Sequence, residues 1–243
     1  MPRFDEYADD YEAALGQGLA ATGEDSAYFA RARVHWLARC LDRLGLSPRV
    51  VLDFGCGTGG SIAPLLELGP GVRVIGVDPS PDSLAVAAAR HQGPGVSFQL
   101  LAEVAPAEVG AQDVPPGQVA VQDGTIDLVF TNGVLHHIQP EHRSAAIRRI
   151  AQLLRPGGLL CIWENNLLNP GTRLVMSRIP FDHDAIPLSA RQTRRLLTGA
   201  GLQPLSTHYL FIFPHPLRAL RPIEPALSRL PLGGQYQVLA QAR

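Results

Sequence analysis

The segment Val50-Val51-Leu52-Asp53-Phe54-Gly55-Cys56-Gly57-Thr58-Gly59-Gly60 constrains the fold more than any other stretch of this chain. A β-branched apolar run passes into a turn dense in glycine, the pattern of a strand that turns into a helix. Glycines there let the backbone approach a ligand at the carboxyl end of the first strand, where open α/β sheets bind their ligands. Gly55, Gly57 and Gly60 also fit the dinucleotide fingerprint, and Asp78 stands 21 residues after Gly57, close to the ribose-binding acid expected there. The glycines alone therefore leave the cofactor open.

From position 50 onward, β-branched runs alternate with helix-length segments, which predicts a mostly parallel sheet with helices on both faces. The expected strands are 50–54, 72–77, 96–100, 126–131, 159–163, 207–213 and 236–241, and the expected helices 60–68, 83–91, 141–154 and 190–199. In the third helix Ile147, Ile150, Ala151 and Leu154 recur at one-face spacing, and Pro156-Gly157-Gly158 stops it. Residues 1–47 read as a helical lid ahead of a core over 48–243, within one domain. The 164–189 link is long enough to suggest substrate contacts.

Composition removes several function classes. With 46% hydrophobic and 18% charged residues the chain is globular, and a formal net charge of −1 gives no field to gather nucleic acid or an anionic membrane. All 21 cations are arginine, so Schiff-base chemistry and a lysine base are excluded. Cys40, Cys56 and Cys161 stand far apart and support neither a disulfide framework nor a zinc site. The acidic start and the absence of an 18-residue apolar run predict a cytoplasmic protein without a membrane span.

Asp53 narrows the choice of cofactor. A carboxylate at the strand tip repels a pyrophosphate but suits a ligand carrying an ammonium and a sulfonium, as S-adenosylmethionine does. Asp78 ends the second strand, placed to accept bonds from both ribose hydroxyls, and Pro79-Ser80 open the following helix.

DFGCGTGG, GVDPS, TIDLVFTNGVLHHI and LLRPGGLL together resemble the motifs of the class I S-adenosylmethionine-dependent methyltransferases. The resemblance implies a Rossmann-like sheet in the order 3-2-1-4-5-7-6 with the seventh strand antiparallel. It also implies a cofactor site formed by Asp53, Gly55, Cys56, Gly57, Gly59, Asp78, Pro79 and Asn132. FDEYADDYEAAL, YFARAR, WENNLLNPGTRLVMSRIPFDHDA and LPLGGQYQVLAQAR resemble a bacterial subgroup assigned to sugars or secondary metabolites. That subgroup carries Glu-His-Asn-Pro where this chain has Glu164-Asn165-Asn166-Leu167, so Asn165 replaces an expected histidine.

Methyl transfer from a sulfonium needs alignment and dehydration, and an alcohol acceptor also needs a base near neutral pKa. His136 and His137, just after the fourth strand, are the candidates, with His136 favoured; ring packing in the turn is the competing role. Asn132 is followed by Gly133-Val134-Leu135, so the N-P-P-Y platform of base-methylating enzymes is missing, which again disfavours nucleic acid. Tyr7, Tyr11, Tyr28, Glu164, Asn165, Asn166 and Arg173 are the candidates for binding a small polar substrate, as are Asn169, Asp182, His183 and Asp184 as a group. No metal site is expected, and either a monomer or a homodimer fits.

The sequence thus predicts methyl transfer to an oxygen or nitrogen of a small metabolite. The alternative keeps the cofactor but releases methylthioadenosine, through aminocarboxypropyl transfer or intramolecular cyclisation. A cofactor-binding partner subunit is a third possibility, disfavoured by the intact loop and acids. A dinucleotide oxidoreductase is a fourth, disfavoured by Asp53.

Overall fold

The computed structural model describes residues 11–101 and 121–243, with side chains from residue 15 onward. In chain order the elements are α1 (Tyr11–Leu19), α2 (Ser26–Leu44), β1 (Val50–Phe54), α3 (Ile62–Leu66), β2 (Arg73–Asp78), α4 (Pro81–Arg90) and β3 (Val96–Leu100). There follow β4 (Ile126–Asn132), α5 (Pro140–Leu153), β5 (Leu154–Asn165), α6 (Pro170–Met176), α7 (Ala190–Gly199), β6 (Gln203–Leu210), α8 (Glu224–Leu227) and β7 (Gln235–Gln241). The seven strands form one sheet in the order β3-β2-β1-β4-β5-β7-β6. β1 to β5 pair in parallel, whereas β7 runs antiparallel to both β5 and β6. The Rossmann-like expectation holds.

Helices cover both faces. On one face Ile147, Ile150 and Leu153 of α5 and Leu197 of α7 pack with Leu52, Val129, Leu160 and Val238. On the other, Trp36, Leu37 and Leu41 of α2 and Ile62 and Leu65 of α3 pack with Val51, Leu128, Phe130 and Trp163. Each fully buried Leu or Ile contributes roughly 1.5–3 kcal/mol of burial, and these side chains hold the strand tips in register. The helix ends follow local chemistry. Asp25 caps α2 by accepting from Tyr28 N–H, Ser80 caps α4 by accepting from Ser83 N–H, and Ser189 with Gln192 forms a capping box on α7.

Three expectations need correction. The 164–189 link is not a bare loop, because Asn169 caps α6 within it and a short 3₁₀ turn follows at Pro180–Asp182. β5 begins at Leu154, directly after α5, since Leu154 already pairs with Ile126 before a register shift carries the ladder to Leu128 and Leu159. β6 lies upstream of the expected 207–213. It ends at Leu210 because Phe211 adopts φ 66, a conformation bulky residues rarely take. Its ring is held against Phe29 and Trp163, at centroid distances of 5.0 and 5.9 Å, and tertiary packing overrides the strand preference.

Candidate active site

The glycine turn is built by hydrogen bonds to the neighbouring strand. Gly55 N–H and Cys56 N–H both donate to Val77 C=O, at 2.8 and 3.0 Å, which folds the loop over the end of β2. Asp78 then ties the loop to the next helix: Oδ2 accepts from Gly57 N–H at 2.8 Å and Oδ1 from Ser80 N–H at 3.0 Å. Gly55 has φ 76 and faces Val134, whose Cγ2 would clash with an added Cβ. Gly57 has φ 51 and open space where its Cβ would be. One glycine serves packing and the other leaves room beside the loop. Gly59 is also a packing position, where an added Cβ would meet His91 and Ala87.

Asp53 is the electrostatic anomaly of this edge. It is 3% exposed, and its Oδ2 has no hydrogen-bond partner among the described residues. Burial, reinforced by the Asp78 charge, pushes its carboxyl up to about 8. Thr131 Oγ1 and Asn132 Oδ1, at the end of β4 beside it, are likewise buried without partners among the described residues. A buried carboxylate oxygen left unmatched costs roughly 1–3 kcal/mol or more, and a cationic ligand would satisfy it. Cys56 is buried, and its thiol is pushed far above the ordinary range by burial and by the Asp53 and Asp78 charges, which excludes it as a nucleophile. Pro79 lies between Asp78 and the Ser80 cap at the start of α4.

The histidine pair is not the open base that its position in the sequence suggests. His136 is 3% exposed, with Nδ1 2.6 Å from Glu164 Oε2 and Nε2 3.6 Å from Asp182 Oδ1. Burial alone would depress it, but the negative charges of Glu164 and Asp182 around the ring, with the Glu164 hydrogen bond, outweigh burial and raise it to about 10. His136 is closed to solvent and its Nδ1 is committed to Glu164, which leaves its assignment as general base without support from the geometry. His137, its ring centroid 4.2 Å from that of His136, is lowered to about 4 by burial and by the neighbouring cation.

Glu164 is equally committed. It is 1% exposed, and its Oε1 accepts from Leu135 N–H at 2.8 Å, so it positions the loop after β4 and does not bind substrate as expected. Asn166 is also structural, donating to Pro231 C=O and Gly233 C=O. Arg173 is exposed and donates to Leu167 C=O. Tyr7 and the Tyr11 side chain lie outside the described residues.

Tyr28 and Asn165 do meet, in a cavity of about 250 Å³ at the same carboxyl edge of the sheet. Its walls come from α1, α2, α6, the chain after β6 and the start of β7. Gln235 joins the polar groups: its amide donates to Asn165 Oδ1 at 3.1 Å and its Oε1 accepts from Arg33 Nε at 2.8 Å. The Arg33 guanidinium lies 5.9 Å from the centroids of both Phe29 and Phe211. Arg221 stacks 4.6 Å over Tyr28 and pairs with Glu24 at 2.8 Å. Neither histidine and no glycine-loop residue lines this cavity. Arg33, Phe211, Gln235 and Arg221 were not foreseen, because they converge from four separate elements without any local spacing signal.

Residues 52–160 match the methyltransferase domain family. This match, with the strand order of the sheet, supports membership of the class I S-adenosylmethionine-dependent methyltransferase superfamily. Its relatives include a trans-aconitate 2-methyltransferase of Methylobacterium nodulans, 34% identical over 171 residues that cover 68% of this chain and 59% of that protein. A second, from Methylobacterium radiotolerans, is 34% identical over 60% of this chain and 50% of that protein, so the chain spans only about half to three-fifths of these relatives. Among solved structures, a possible histamine N-methyltransferase of Thermotoga maritima superposes with TM-score 0.64 at 19% identity, covering 99% of this chain and 98% of that one. At that identity the likeness carries the methyltransferase fold alone. No helix among the described residues is long and apolar enough to cross a membrane.

Proposed function

We propose that this methyltransferase moves the sulfonium methyl group of S-adenosylmethionine to an oxygen of a small organic acid seated in the cavity beside Tyr28, Arg33, Asn165 and Gln235. The observation that carries this reading is the placement of two features at one sheet edge: the buried, unmatched Asp53 oxygen and the aromatic-walled cavity with its polar floor. Asp53, the Gly55–Gly59 loop, Asp78 and Asn132 fit the cofactor. Asp53 matches the cationic methionine end, Gly57 leaves room for close approach, and Asp78 retains acceptor capacity for ribose hydroxyls. The bound cofactor would supply an electrophilic methyl group.

The chain's own contribution is positioning and exclusion of water. Phe29, Phe211 and Tyr28 provide apolar walls. Asn165 and Gln235 provide a donor and acceptor pair held rigid by their mutual bond, and Arg33 brings a positive charge that suits an acid. A carboxylate is already nucleophilic as an anion, so it needs no general base, in keeping with a cavity that neither histidine lines. The trans-aconitate methyltransferase relatives support the same acceptor class. An amine acceptor remains compatible with this positioning role.

The test is incubation with S-adenosylmethionine and a panel of di- and tricarboxylic acids, followed by mass analysis of nucleoside and acid. S-adenosylhomocysteine with an acid one methylene heavier is the expected outcome. Methylthioadenosine would instead establish the non-methylating alternative, and an unmodified cofactor across the panel would overturn the acid assignment.

A further inference from the structure

We infer that His136 Nε2, His137 Nε2 and Asp182 Oδ1 form a binding site for one borderline divalent transition ion of the zinc class, held in place by Glu164. The three ligand atoms lie within 4.8 Å of one another. The two edges, 3.6 Å from His136 Nε2 to Asp182 Oδ1 and 3.5 Å from His137 Nε2 to the same oxygen, are longer than an ordinary N–H···O hydrogen bond. Two ligands about 2.0–2.1 Å from a tetrahedral ion stand roughly 3.3–3.4 Å apart. The edges are therefore the size of a coordination polyhedron.

The surroundings match as well. Glu164 Oε2 sits 2.6 Å from His136 Nδ1, so that nitrogen carries the bonded proton and Nε2 faces Asp182. A carboxylate behind a ligating imidazole fixes its tautomer and ring orientation, the usual support of protein metal sites. Glu164 is itself anchored by Leu135 N–H. On the other side, Asp182 N–H donates to Ile179 C=O, and Ile186 N–H donates to His136 C=O at 2.8 Å, which locks the Asp182 segment against the histidine loop. Two imidazoles and one carboxylate are a donor set for zinc, iron(II) or cobalt(II), not for calcium or magnesium.

An ion here would cross-link the loop after β4 to the Pro180–Asp182 turn. Ile179 and Phe181 of that segment pack on Leu15 and Val175, and Val175 lines the acceptor cavity, so the cross-link would stiffen the cavity wall. The role is structural and independent of which acceptor is methylated.

The test uses the full chain without an affinity tag, stripped with chelator and titrated with zinc, then with cobalt(II). Wild-type protein should take up one equivalent with micromolar affinity or better, its melting temperature should rise, and cobalt should give visible ligand-field bands. His137→Gln changes the least buried ligand and should lose the uptake and the melting shift. Glu164→Gln should weaken binding about 10–100-fold. X-ray absorption at the zinc edge of the wild-type protein should report two imidazoles and one carboxylate, which tests the site even if a variant fails to fold. Equal uptake by His137→Gln would mean an adventitious ion on exposed histidines such as His142 or His183. That result, or no uptake by the wild type, overturns the inference.

Discussion

Asp53→Asn should make the ligand-free protein more stable and its cofactor binding much weaker. With its carboxyl raised to about 8 from the ordinary 3.8, Asp53 stabilises the fold fully only below pH 4. That contribution is lost progressively as pH rises through about 8. At pH 7 the cost is about three pH units, or roughly 4 kcal/mol. Asparagine removes it but leaves a buried amide short of a partner, a cost of roughly 1–3 kcal/mol. The net gain is roughly 1–3 kcal/mol, or about 3–10 °C in melting temperature for a chain of this size. The effect on S-adenosylmethionine has the opposite sign, because a cation loses its buried partner, at a cost of about 2–5 kcal/mol. Thermal melts across pH 5 to 9 and calorimetric titration read both quantities. The wild type should also bind more tightly as pH rises toward 8, because the Asp53 proton must leave. The variant should lack that component, while titration of the cofactor's own amine is common to both. A variant that melts below the wild type at pH 7 and 8, or binds with undiminished affinity, would refute the reasoning.

Asp78→Asn loses the charge that holds Gly57 N–H and Ser80 N–H, and calorimetry should show cofactor affinity reduced by about 1.5–3 kcal/mol. Gly55→Ala drives a methyl into Val134 at φ 76 and should cost more than about 2 kcal/mol in urea denaturation. Gly57→Ala meets only open space, so it should cost about 1–2 kcal/mol of backbone strain and mainly lower cofactor affinity. Tyr236→Phe removes a buried hydroxyl bonded to Leu188 C=O and Thr193 Oγ1. It should destabilise by about 1–3 kcal/mol and leave cofactor affinity unchanged.

The glycine turn and its two acids were legible because their information is local. Strand, glycine turn and acid follow one another within 50–60, and the second acid ends the adjacent strand, so their chemistry survives translation into three dimensions. Asp53 and Asp78 lie at the tips of β1 and β2, as the motif order requires. The histidines show the limit of the same reasoning. Their position after β4 was correct, but their chemistry depends on Glu164 and Asp182, which are 28 and 46 residues from His136.

What the sequence determined by itself is the alternation of strands and helices, the helices on both faces and the glycine turn after β1, since periodicity, glycine and capping residues act over a few neighbours; the strand order came from the family resemblance, and the sheet bears it out. Only the tertiary structure decided which polar residues line the cavity. Asn165 and Asn166 are adjacent in a stretch whose side chains alternate in direction. One lines the cavity through Gln235, and the other is spent on the carbonyls of Pro231 and Gly233. Packing likewise ended β6 at Leu210, where the ring of Phe211 gains more against Phe29 and Trp163 than the backbone loses at φ 66. The physical reason is range: turn and strand preferences are set by adjacent residues, whereas burial and charge pairing are set by whichever distant segments the sheet brings together.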